Sequence, residues 1–282
     1  MRRIFIAAPI LFGMLAAAAL AVSERPDPTQ EIRGILSTDR QDCHPQAIRD
    51  LQRLSPRGYA IYQAMKDKKL FLGWLSCDDV QLGLSTAVHE SVHNLTEERD
   101  AYPLVNGGDL RRPHEVSKFF APSALIKDPT TGFTTNDIFV HDYLRPGSVS
   151  SAGDFLYLLD ELNAFSHDLN TAIALISLRP NDDRQVDHRD GLAALMAFVM
   201  TYVDVARKSQ PTTWEGLQRP QPRRVIQTLW TQAETVMAAS CGIPDFGSKD
   251  KVYLRLVCDR SRGDALAQVL GRAPVCPSAC LK

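Results

Sequence analysis

His89-Glu90-Ser91-Val92-His93 places two imidazoles four residues apart, with a carboxylate beside the first. On an α-helix, positions i and i+4 leave from the same face, so both rings can reach one metal ion from a rigid backbone. Neutral imidazole suits a divalent ion such as zinc, and Glu90 stands where it can take a proton from water activated by that ion. The expected chemistry is metal-assisted hydrolysis, with His89 and His93 as ligands and Glu90 as general base.

The element that must carry this set is a buried helix. Between Thr86 and Leu95 there is no proline and no charge except Glu90. Leu84, Val88, Val92 and Leu95 recur at helical spacing and form an apolar stripe beside the histidines. The stripe anchors the helix, and the polar edge is left to bind.

The uncharged helix with its two histidines and glutamate resembles the zincin metallopeptidases. The metzincin branch, which continues with a glycine and a third histidine, does not fit, because His93 is followed by Asn94-Leu95-Thr96-Glu97-Glu98-Arg99. A catalytic zinc keeps three protein ligands and one open position, so a third ligand must come from elsewhere. Glu161 is the expected one. Ser151 and Asp154 read as a helix start and Pro180 as a stop, which predicts a long helix from about Ala152 to about Leu178. Leu158, Leu162, Phe165, Leu169 and Ile173 make its apolar stripe, and Glu161 sits inside that stripe. A carboxylate facing a core is costly unless paired, and a metal ion is one such pairing; a buried arginine is another.

Glu161-Leu162-Asn163-Ala164 is similar to the Glu-x-x-Ala setting of the gluzincin branch, exemplified by thermolysin and neprilysin. The resemblance implies zinc, an α+β zincin-like fold that is mainly α with a small sheet, and peptide or protein substrates. It covers two helical segments. One departure is plain: the aspartate such families carry four residues after the ligand, to orient a zinc-binding histidine, is Phe165 here, which leaves Asp160 or Asp168 for that task.

Hydrolysis also needs a hydrogen-bond donor for the oxygen that gains charge. Phe139-Val140-His141-Asp142-Tyr143 alternates like a strand, which puts His141 and Tyr143 on one face as candidates. His167 reads as a polar-surface histidine. His114-Glu115 lacks a second histidine at the required spacing, and His44 and His188 have no partner pattern.

The chain's beginning bears on where this would happen. Met1-Arg2-Arg3, the apolar run Ile4 to Leu20 and Ala19-Leu20-Ala21 read as a secretory signal peptide over residues 1–21, with an uncleaved membrane anchor as the alternative. Val22 to Gln30 reads as a short tether. Cys43, Cys77, Cys241, Cys258, Cys276 and Cys280 are an even number, in keeping with disulfides in a periplasmic or secreted protein: one bridge in front of the zinc helix and two behind it. Residues 241–282 form a cysteine-rich end.

A formal net charge of -1 gives no electrostatic reason to expect nucleic acid, and a mature chain of about 260 residues can bury a full core as a single domain over 22–282. Further helices are expected near Pro45-Leu54, Gly58-Lys66, Ser85-Arg99, Gly191-Arg207, Arg223-Ala239 and Gly263-Leu270. Strands are expected at Leu70-Ser76, Asp137-Tyr143 and Val252-Val257, and an irregular stretch from Ala101 to Ser151. No Gly-x-Ser-x-Gly elbow, phosphate loop or dinucleotide fingerprint occurs. The resulting expectation is a secreted or periplasmic zinc peptidase. Its rivals are a non-catalytic zinc-containing binding or assembly protein and a membrane-anchored helical interaction protein without metal.

Overall fold

Residues 43–180 and 186–282 are described by the computed structural model. The expected signal segment and tether lie outside the described residues. The architecture is mainly helical with one small two-stranded sheet.

The helices in chain order are α1 (His44–Leu54), α2 (Pro56–Ala64), α3 (Lys68–Gly73), α4 (Val80–Arg99), α5 (Ile138–Tyr143), α6 (Ser150–Gly153), α7 (Phe155–Ala174), α8 (His188–Ser209), α9 (Pro211–Leu217), α10 (Pro220–Ser240), α11 (Asp250–Val257) and α12 (Arg260–Leu270). Between α4 and α5 lie β1 (Ala101–Pro103) and β2 (Asp109–Arg111), followed by short 3-10 turns. The strands are antiparallel, with Tyr102 opposite Leu110, and Gly107 and Gly108 supply the left-handed backbone their turn requires.

Helix α4 forms because Asp79 caps it, its side chain accepting from the Leu82 amide at 2.9 Å, and because Leu84, Val88, Val92 and Leu95 bury the expected stripe. It packs along α7, and α7 packs in turn against α8 and α10. Near the start of α4 only a glycine fits: a Cβ at Gly83 would lie 2.5 Å from the Ser76 amide nitrogen. The chain segment crossing there is held by the Cys43–Cys77 disulfide.

Two apolar clusters result. The smaller joins α1 to α4, and the larger surrounds α7, α8 and the C-terminal helices. Polar side chains of α7 fasten the sheet to the larger cluster: Asn163 and His167 both donate to the Pro103 carbonyl at 2.9 Å, and Gln232 of α10 reaches Asn163 and the Val105 amide.

The three expected strands are helices instead. Leu70-Ser76 overlaps α3, Asp137-Tyr143 holds α5, and Val252-Val257 lies within α11. Short apolar runs satisfy both periods, and local capping decides. Asp137 accepts from the Phe139 and Val140 amides, which starts a helix and ends the option of a strand. The long helix near residue 152 begins at Phe155, because Asp154 rather than Ser151 is its cap, and Ser150–Gly153 closes as a separate turn.

Candidate metal centre

Helix α4 presents His89 and His93 one turn apart toward α7, and α7 presents Glu161 toward them. The His89 and His93 Nε2 atoms are 3.2 Å apart, and Glu161 Oε2 lies 3.4 Å from His93 Nε2 and 3.7 Å from His89 Nε2. Three donor atoms each 2.0–2.1 Å from one tetrahedral ion stand about 3.3–3.4 Å apart. The observed triangle therefore matches the size that a zinc ion requires.

The electrostatics agree. Glu161 Oε2 is buried with no hydrogen-bond partner, a costly state that a cation relieves. Burial opposes the charge on Glu161, yet the neighbouring His93 holds its carboxyl below the usual range. Burial likewise opposes a charged His93, and the Glu161 and Asp160 carboxylates overcome it and raise His93 well above the ordinary imidazole value. His89, desolvated and facing His93, is lowered. The pocket favours positive charge at one point between these side chains.

The orienting carboxylate is Asp160. Its Oδ2 accepts from His93 Nδ1 at 2.7 Å, which fixes that ring with Nε2 turned toward His89 and Glu161. Phe165, at the position where a carboxylate would be expected, packs edge-to-face on His89 with ring centroids 4.6 Å apart. A notch in α8 admits its ring: a Cβ on Gly191 would lie 2.1 Å from Phe165 Cε1.

Glu90 lines a cavity of about 170 Å³ that also includes His89, Tyr143, Phe165, Asp168 and His188. Tyr143, at the end of α5, lines this cavity, its hydroxyl kept neutral to well above its ordinary pKa by burial and by the Glu161 charge. His141 does not. It is exposed and its Nδ1 bonds to Asp142 Oδ1 at 2.8 Å. The expectation that His141 and Tyr143 share a face assumed a strand; in a helix, residues two apart are turned about 200° from each other.

Two other histidines depart from the sequence reading. His167 is buried rather than on the surface, bound to the Pro103 carbonyl, and burial pushes it down to about 4. His188 has a partner after all: its Nδ1 lies 3.1 Å from Asp168 Oδ2, and both residues are buried. No short-range pattern joins His188 to Asp168, because the contact runs between α7 and α8. The one available signal was Asp168 itself, a second carboxylate two turns beyond Glu161 on the buried face of α7. His114 is exposed and pairs with Asp100.

Among the described residues, the other group of ligand-type side chains is Cys43, His44 and Cys77, whose two sulfurs are joined in a disulfide. Cys241–Cys280 and Cys258–Cys276 complete three bridges, in keeping with an oxidising environment. No described helix is long and apolar enough to cross a membrane. Comparison with protein-family models, with curated proteins and with solved structures yields no match for this chain.

Proposed function

We propose that this protein is a zinc-dependent peptidase, exported to an oxidising compartment such as the periplasm or the extracellular space. The observation that carries the reading is the triangle of His89, His93 and Glu161 donor atoms beside a half-buried Glu90. His89, His93 and Glu161 would hold the ion, which when bound supplies the Lewis acidity that makes water nucleophilic near neutral pH.

The chain's own groups divide the remaining work. Asp160 keeps the His93 proton on Nδ1, leaving Nε2 free as a ligand. Glu90 accepts the proton of the attacking water and passes it to the departing amine. Tyr143, neutral across the physiological range, offers its hydroxyl to the carbonyl oxygen. Phe165 and Leu82 give the cavity an apolar wall against which a substrate side chain can rest.

The experiment is Glu90→Gln in zinc-loaded protein, assayed on a peptide library with metal content measured alongside. Zinc should be kept and turnover should fall by at least the ~10²- to 10⁴-fold that general acid–base groups contribute. Undiminished turnover would remove Glu90 from the mechanism, and a wild type that holds zinc but cleaves no peptide would favour a zinc-containing binding protein.

A further inference from the structure

A second cavity, of about 150 Å³, opens among α2, the end of α4, the β1–β2 turn and α7, and it shares no lining residue with the cavity that holds Glu90. His167 lies at its base. That side chain is 2% exposed, and its Nε2 donates to the Pro103 carbonyl at 2.9 Å. A ring nitrogen facing a carbonyl must carry a hydrogen, and no carboxylate pairs with this ring, so it stays neutral and Nδ1 keeps its lone pair. Among the described residues nothing donates to Nδ1. Polar atoms of buried residues are nearly always satisfied, and His167 lines the cavity, so the missing donor belongs to whatever fills it.

The mouth has the opposite character. Arg57 is exposed and makes no ion pair among the described residues. It lies against the β1–β2 turn, where a Cβ on Gly107 would come 3.1 Å from its Nη1. Arg99 gives its Nη1 to Asp109 at 2.9 Å, and the rest of its fork is unengaged among the described residues. Two guanidiniums against one carboxylate leave the lining net positive. Between mouth and base, Ile61 and Ala64 from one face of α2 and Val105 after β1 supply apolar walls. A ligand must therefore be anionic at one end, donate a hydrogen at the other and carry an aliphatic surface between. Size narrows the choice: sites for whole cofactors enclose about 300–1,000 Å³, so this one admits a single residue and not a nucleotide.

We propose that this cavity binds the C-terminal residue of a peptide, with its carboxylate on Arg57 and Arg99, its amide N–H donating to His167 Nδ1 and a small aliphatic side chain against Ile61 and Val105. A free amino acid suits the site less, because its ammonium would add positive charge beside two guanidiniums. Neither the metal nor hydrolysis enters the argument, so the site stands independently of the peptidase reading.

N-acetylvaline carries all of these features on one residue and is the probe. Its N-methylamide lacks the carboxylate, and the O-acetyl hydroxy-acid analogue keeps the carboxylate but has an oxygen in place of the N–H. Each is titrated into the full mature chain and into Arg57→Ala, with binding read by calorimetry and by the nitrogen resonance of His167 Nδ1. N-acetylvaline should bind the wild type and shift that resonance, as a lone pair does on accepting a hydrogen. The methylamide and the hydroxy-acid analogue should each bind about 10-fold or more weakly, the loss expected for one hydrogen bond to a charged or buried group. Arg57→Ala removes an exposed side chain and leaves the core intact; it should weaken N-acetylvaline about 10-fold and leave the methylamide unchanged. An N-acetylvaline that does not bind, that binds no better than its methylamide, or that leaves the His167 resonance in place would overturn the proposal. Equal affinity in Arg57→Ala would also overturn it, because the carboxylate would then be held elsewhere, as at the metal centre. Inorganic phosphate that displaces N-acetylvaline and binds more tightly would overturn it in favour of a site for free anions. Each of these results leaves the peptidase reading as it was.

Discussion

Asp160 and Glu161 are adjacent and equally acidic, yet one steadies a histidine and the other faces the point where an ion would sit. A helix turns about 100° per residue, so neighbours on α7 cannot share a direction, and the apolar stripe selects which of them faces inward. His89, Glu90, His93 and Glu161 were legible because helical spacing alone brings their side chains onto defined faces. His167 and His188 were not, since what surrounds them is set by β1 and by the α7–α8 contact. His167 carries a testable consequence. Burial depresses its pKa from 6.5 to about 4, so the neutral ring is favoured in the folded state. Its stabilising effect is complete above about pH 6.5, where both states are neutral, and is lost progressively as pH falls to about 4 and the unfolded chain alone takes up a proton. The total is on the order of 3 kcal/mol. Denaturant unfolding between pH 7 and pH 4 should show this slope in wild type and a flatter one in His167→Gln; identical slopes would assign the acid sensitivity to other groups.

At the scale of elements, the long helices α4, α7, α8 and α10 were read correctly in kind, because twenty residues of pattern outweigh any local ambiguity. The six residues of α5 were not. Phe139, Val140, His141 and Tyr143 satisfy a strand pattern, and the decision rests on the Asp137 cap, whose Oδ1 also receives the Tyr253 hydroxyl from α11. A small sheet was expected, but β1 and β2 were not located, for the opposite reason: three-residue strands leave almost no periodic trace, and Gly107-Gly108 was the only signal. The α7–α8 contact yields a second prediction. Phe165 reaches both His89 and the Gly191 notch, so adding a methyl group by Gly191→Ala forces either α8 outward or Phe165 against His89. Overpacking of this kind typically costs about 1–3 kcal/mol. We expect zinc affinity, measured by chelator competition, to fall about 10-fold or more together with a lower thermal midpoint. A folded Gly191→Ala protein with unchanged zinc affinity would show that Phe165 does not hold His89 in place.

For the described residues as a whole, the disulfides mark off the two ends from the candidate metal centre. Cys43–Cys77 ties the first helix to the entry of α4, and the two rear bridges close the C-terminal segment onto α10 and α11. That one bridge lies in front and two behind was legible from cysteine placement; the pairing among the rear four was not, because spacing alone permits three connectivities. Between the two ends, α4 belongs to the smaller apolar cluster and α7 contributes to both, and the two helices meet at His89, His93 and Glu161, so an ion bound there would tie α4 to the helix that spans the two cores. Metal binding should then stabilise the entire fold. A ligand at a thousandfold excess over its Kd contributes about 4 kcal/mol. In a domain of this size that is a rise of roughly 8–16 °C in the thermal midpoint, at 2–4 °C per kcal/mol. The decisive measurement is a zinc titration of the chelator-treated mature protein, read by elemental analysis and by thermal midpoint, for wild type, Asp160→Ala and Glu161→Ala. One zinc per chain with a large rise in wild type, a reduced but clear rise in Asp160→Ala and little or none in Glu161→Ala is the predicted result. Failure of the wild type to take up stoichiometric zinc, or a Glu161→Ala protein that matches it, would contradict the metal centre itself.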